Sequence, residues 1–187
     1  MGDLAGAAYA LTVLTPVRAG EEAALCAYLD GLPTGRDSPL EALGTTHFAR
    51  WLVLPDLVHQ REQPLRRRDD LGGTYLLFTS NLDGSPEEYV NALCTKIGDV
   101  ADATWGRCVG CPGSAEPARL TAYLMRNRIP TTFFFAAYPN ARVADVRRAL
   151  RLRDEVGAFT LRTRGLSVQE LHRAFLAELG GAEGAGS

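Results

Sequence analysis

Thr45-Thr-His-Phe-Ala-Arg-Trp-Leu-Val-Leu54 and, after a polar interval, Gly73-Thr-Tyr-Leu-Leu-Phe-Thr-Ser80 are the phrases that decide the fold. Both are rich in β-branched and aromatic residues. The first closes at Pro55 and the second at the turn-forming Asn81-Leu-Asp-Gly84, so each predicts a strand and the two together an antiparallel pair. Period-two alternation places His47, Ala49, Trp51 and Val53 on one face of the earlier strand and Phe48, Arg50 and Leu52 on the other.

Upstream, Tyr9-Ala-Leu-Thr-Val-Leu-Thr-Pro-Val17 predicts another strand, with Tyr9, Leu11 and Val13 on one face. A helix follows, with Glu21 and Glu22 in its first turn and an apolar stripe of Leu25, Tyr28, Leu29 and Leu32 ending before Pro33. Downstream, Ser85-Pro-Glu-Glu starts a helix with a Ser N-cap, Pro at the first helical position and carboxylates facing the helix dipole; Tyr89, Leu93, Ile97 and Val100 form its buried face. A further helix from about Glu116 presents Leu120, Tyr123 and Leu124. Thr131-Thr-Phe-Phe-Phe-Ala-Ala-Tyr138 is the most hydrophobic phrase and predicts a fourth, well-covered strand. Two helices complete the chain, 142–154 with Val143, Val146 and Leu150, and 168–179 with Leu171, Phe175 and Leu179. Ser167 and Glu170 form a capping box for the last, and Leu166 a staple.

Strand, helix, strand, strand, helix, strand is the split βαβ order. The expectation is an α+β fold: a ferredoxin-like antiparallel sheet with helices on one face and extra C-terminal helices. One domain spans 8–179, and the Gly- and Ala-rich ends, 1–7 and 180–187, are expected to be disordered tails. The 187 residues, 46% hydrophobic and 22% charged, suffice for one ordinary core. A net charge of −2 offers no bulk attraction to nucleic acid or anionic lipid. There is no basic leader and no apolar run of about 18 residues, so a cytoplasmic protein is expected. Four cysteines are too few for a disulfide framework, and reduced thiols follow.

Thr46-His-Phe-Ala-Arg-Trp51 and Leu77-Phe-Thr-Ser-Asn-Leu-Asp-Gly84, set in this element order over roughly residues 8–138, resemble the ferredoxin-like dimeric α/β-barrel superfamily. That group includes small antibiotic-biosynthesis monooxygenases, polyketide cyclases, chlorite dismutases and dye-decolourising peroxidases; the Gly-x-x-Asp-Gly phrase usual in its peroxidases is not found here. The resemblance implies a homodimer with the ligand held between the open sheet face and the helices or partner sheet. It also implies cyclisation or oxygenation of a small hydrophobic molecule in secondary metabolism, without a nucleotide cofactor. Its peroxidase branch implies haem, with His172 or His47 as the axial ligand.

The residues themselves offer His47 as the first candidate, since imidazole serves as acid, base or metal ligand near neutral pH. A hairpin between the two central strands brings it towards Ser80, Asn81 and Asp83, gathering imidazole, amide and carboxylate as a catalytic set; the alternative is a structural histidine beside a turn. Arg50 interrupts an apolar strand and either meets a substrate acid or stands in solvent or beside a helix glutamate. Trp51, Phe78, Phe133, Phe135 and Tyr138 are expected to line the substrate pocket, with 55–72 as a lid. Cys108-Val-Gly-Cys111 has the spacing of a redox pair or half a zinc site, but no second pair completes a zinc set and the pair does not open a helix after a strand, which leaves two loop thiols. His59 sits in a polar loop. Arg142, Arg147, Arg148, Arg151 and Arg153 interleave with Asp145, Asp154 and Glu155 as on an exposed, self-paired helix. Phosphate loops and serine-hydrolase elbows are missing, which removes those enzyme classes. A non-catalytic module whose sheet face buries against a second copy is the remaining alternative.

Overall fold

Alternation in three long strands builds a sheet with one thoroughly buried face. In the computed structural model, which describes residues 2–55 and 71–178, β1 (Leu4–Ala5), β2 (Ala8–Pro16), β3 (Thr46–Leu54) and β4 (Tyr75–Asp83) form an antiparallel sheet in the order β1-β2-β4-β3. Leu11, Val13 and Thr15 of β2 stand opposite Ser80, Phe78 and Leu76 of β4, and Ala49, Trp51 and Val53 of β3 flank the same three. These residues share a face because the side-chain period is two.

Three helices cover that face: α1 (Glu22–Asp30), α2 (Pro86–Thr104) and α3 (Pro117–Arg126). Leu25, Tyr89, Val90, Leu93, Ile97, Leu120 and Leu124 pack with the sheet residues into one core. Each such buried aliphatic or aromatic side chain contributes about 1.5–3 kcal/mol. The expected start of α2 is realised as a reciprocal capping box between Ser85 and Glu88. Within α2, Ile97 has non-helical dihedrals. Next to it, a Cβ on Gly98 would lie 2.9 Å from Ser114 Oγ, so glycine permits the close approach of that loop at the kink. The class is therefore α+β, as expected.

The free edge of β2 is used along most of its length. Leu4 and Ala5 pair with Tyr9 and Ala8, so part of the stretch read as a disordered N-terminal tail is a short strand. Leu14 N–H donates to Asn127 O at 3.0 Å and Ile129 N–H to Thr12 O at 2.9 Å. Val109 N–H donates to Pro16 O at 2.8 Å. Residues 131–138, expected as the fourth strand, do not form one. Asp3 Oδ1 accepts from Thr131 N–H at 2.6 Å, and Ala7 N–H donates to Pro139 O at 2.7 Å, so the segment is tethered beside β1 without a ladder.

Residues cluster into two units, Met1–Val143 and Ala144–Ser187, where the sequence reads as a single domain over 8–179. In the second unit, α4 (Val143–Arg162) and α5 (Val168–Glu178) meet through an edge-to-face contact of Phe159 and Phe175 at 6.1 Å and an Arg162–Glu178 ion pair. The Ser167–Glu170 capping box forms as expected. α4 runs past the expected end at 154 because no proline interrupts it. No described helix is long and apolar enough to cross a membrane.

Candidate functional site

Where β3 begins, its register slips. Thr46 pairs with Leu82 and Phe48 with Asn81, leaving His47 as the extra residue of a bulge. Strict alternation would put His47 with Ala49 and Trp51 on the core side. The bulge instead turns its imidazole to Asp83, which lies on the face opposite the buried Leu82. His47 Nε2 and Asp83 Oδ1 are 2.8 Å apart. Asp83 is itself held on two sides: its Oδ2 accepts from Val143 N–H at 2.8 Å, and its own N–H donates to Thr45 O at 2.9 Å. The two side chains are 18% and 11% exposed, so the pair is sheltered but reachable.

Beneath the bulge, Thr46 Oγ1 and Ser80 Oγ both donate to Tyr89 Oη, at 3.2 and 3.1 Å. Tyr89 is 2% exposed, and burial pushes its hydroxyl above the ordinary range. These bonds tie the ends of β3 and β4 to α2. Chemically, a carboxylate only accepts, so Asp83 holds the proton on Nε2 and leaves the Nδ1 lone pair as a base. That orienting role is how carboxylates fix imidazoles in general acid–base sites.

Along the same sheet face lies a concavity of about 320 Å³ lined by Phe48, Ala49, Arg50, Thr79, Ser80 and Asn81. Arg50 Nε donates to Thr79 Oγ1 at 3.0 Å. Phe48 is 76% exposed.

Of the expected catalytic set, His47 and Asp83 meet directly and Asn81 faces the neighbouring concavity, while Ser80, expected nearby, donates to Tyr89. Asn81 and Asp83 belong to the strand rather than the turn. The reversal falls on Gly84, whose φ of +87° suits glycine. Arg50 stands on the exposed face and lines the concavity.

The expected aromatic lining is corrected. Trp51 and Phe78 belong to the core, their rings 5.0 Å apart and both against Trp105, at 5.9 and 5.0 Å. Phe78 is fully buried, because its place opposite Val13 and Trp51 faces the helices. Phe133, Phe135 and Tyr138 are 81, 74 and 81% exposed and line no part of the concavity. Most of the expected lid, 56–70, and His59 lie outside the described residues.

Cys108 is not a loop thiol. It is fully buried in an isolated bridge with Val17 and accepts from Thr15 Oγ1 at 3.2 Å. Burial pushes its thiol up to about 11 and also raises Cys111 and Cys94, which suits inert packing rather than redox work. All four cysteines are unpaired. Among the described residues no cluster of three histidine, cysteine or acidic side chains is arranged around a metal ion. Of the two expected haem ligands, His47 engages Asp83 through Nε2 and lies outside the concavity lining, and His172 is exposed on α5. On α4, Arg148 pairs with Asp145 and Arg153 with Asp154, as a self-paired helix should.

Comparison with protein-family models, with curated proteins and with solved structures finds no match. The supporting roles of Tyr89, Thr79 and Val143 carry no sequence signal: Tyr89 and Val143 stand out only as apolar helix positions, and nothing local to Thr79 marks it as a partner of Arg50. The bulge at His47 also lacks the glycine that often announces one.

Proposed function

We propose that the protein is a small-molecule enzyme of the split βαβ kind that acts on a hydrophobic substrate at its exposed sheet face, with His47 as the proton carrier and Asp83 as its orienting group. The observation that carries this reading is the 2.8 Å His47–Asp83 contact, with Asp83 secured by Val143 and set at a bulge. Bulges of this kind re-aim side chains beside active sites. The pairing of 127–129 with β2 supports the ferredoxin-like topology, since that is the position a fourth strand would take beside β2. Cyclisation or oxygenation without a nucleotide is the reaction class that agrees with a lone acid–base histidine and with the family resemblance. Exposed Phe48 and Leu52 support self-association through the same face, and the unpaired thiols support a reducing compartment.

The test is a substrate screen by mass spectrometry with wild type, His47→Ala and Asp83→Asn, together with melting curves. Turnover of any substrate found should fall about a hundredfold or more in His47→Ala and less in Asp83→Asn, with little change in melting temperature. Stability or dimerisation lost in place of turnover would identify a non-catalytic module.

A further inference from the structure

We propose that the concavity beside Phe48 is a carboxylate subsite for an elongated organic acid, anchored by Arg50. This names the substrate class for the site described above, and it rests on that reading only for where the far end of the ligand points. Arg107, Arg119, Arg128 and Arg148 each pair with a carboxylate, namely Glu21, Glu116, Asp3 and Asp145. Arg50 does not pair with a carboxylate among the described residues. Its Nε is occupied by Thr79 Oγ1 at 3.0 Å, which steadies the guanidinium and leaves its terminal nitrogens to donate outward. Thr79 accepts that bond, so its own hydroxyl hydrogen is free to donate to a ligand.

The planar fork of a guanidinium matches a carboxylate in two parallel hydrogen bonds. One cation, one hydroxyl and the Asn81 amide suit a monoanion. A phosphate is usually met by several backbone N–H groups or a helix N-terminus, and the lining here supplies no glycine-rich loop. The ring of Phe48, across from Asn81 in register, gives an apolar wall for the body of the acid. The volume of about 320 Å³ lies near the lower end of small-molecule sites, about 300–1,000 Å³. Thr79, Asn81 and Asp83 lie on one face of β4, and the first and last are separated by about 13 Å along the strand. An acid held at Arg50 therefore lays its chain past Asn81 and Phe48 towards His47.

The experiment is calorimetric titration with 3-phenylpropionate and with 3-phenylpropionamide, at low ionic strength. Wild type should bind the acid, and both the amide on wild type and the acid on Arg50→Gln should be weaker by about tenfold or more. Arg50→Lys should restore only part of the loss, because it keeps the charge without the fork. The titration reads binding and not turnover, so failure of the catalytic reading leaves this result standing. Equal binding of acid and amide, unchanged binding in Arg50→Gln, or no binding of the acid to wild type would each overturn the subsite, even where turnover still depends on His47.

Discussion

Residues 46–54 and 131–138 are both apolar, β-prone phrases, yet one is a strand of the sheet and the other is not. The first alternates: Ala49, Trp51 and Val53 face the core while Phe48, Arg50 and Leu52 face outward, so a single pairing with β4 buries one face and leaves the other for solvent. The second places Phe133, Phe134 and Phe135 in succession, so no choice of face buries all three. It also finds no open ladder beside β2, where β1, 127–129 and Val109 already take backbone hydrogen bonds. Hydrophobicity makes a strand only where the pattern and a free neighbouring edge agree.

The sharpest way to break this contrast is to remove one aromatic from each region. Phe78→Ala, on the strand that pairs with 46–54, should cost about 3–5 kcal/mol because it empties the centre of the Trp51–Phe78–Trp105 cluster. Phe135→Ser should stay within about 0.5 kcal/mol. Equal losses in chemical denaturation would mean that 131–138 is packed after all.

A smaller effect is expected at Tyr89, which anchors the start of β3. Tyr89→Phe strands the hydroxyls of Thr46 and Ser80 and should destabilise by about 1–3 kcal/mol, read from the urea midpoint. No change there would show that the bulge is held by β3–β4 pairing alone.

The smallest effect concerns the tether of the other region. The hydrogen bond from Thr131 N–H, aided by Arg128 at 3.5 Å, holds the Asp3 carboxyl below its ordinary value. Such a group favours the folded arrangement above its unfolded pKa of about 3.9, and that contribution is lost as the pH falls through the lower folded value. The protection factor of the Thr131 amide, its exchange measured against the free-chain rate at the same pH, should therefore fall on acidification below about pH 4, and Asp3→Asn should flatten that dependence. An acid step of the same size in Asp3→Asn would place the titrating group elsewhere.

Much of the first unit was legible in advance. Strands at 8–16 and 46–54, the Ser85 cap and the α3 stripe announce themselves through alternation, a proline at the first helical position and 3.6-residue spacing, all of which are local signals. The meeting of His47 with Asp83 was legible too, because antiparallel pairing fixes which strand ends are neighbours. That Trp51 and Phe78 pack in the core and not in a pocket is not legible, because alternation assigns residues to faces without saying which face the helices cover. The short strand at Leu4 and Ala5 is not legible either, because a Gly- and Ala-rich stretch carries no pattern until a partner edge is at hand.

By itself, the sequence determined the α+β class, the central strand pair and the presence of one histidine near one acid, since each follows from the periodicity and pairing of neighbouring elements. Tertiary structure alone decided that His47 sits in a bulge on the exposed face, that Thr79 steadies Arg50, and that three successive phenylalanines lie outside the sheet. Those outcomes depend on the competition among distant segments for the same edge and the same buried face, and no local pattern records who wins it.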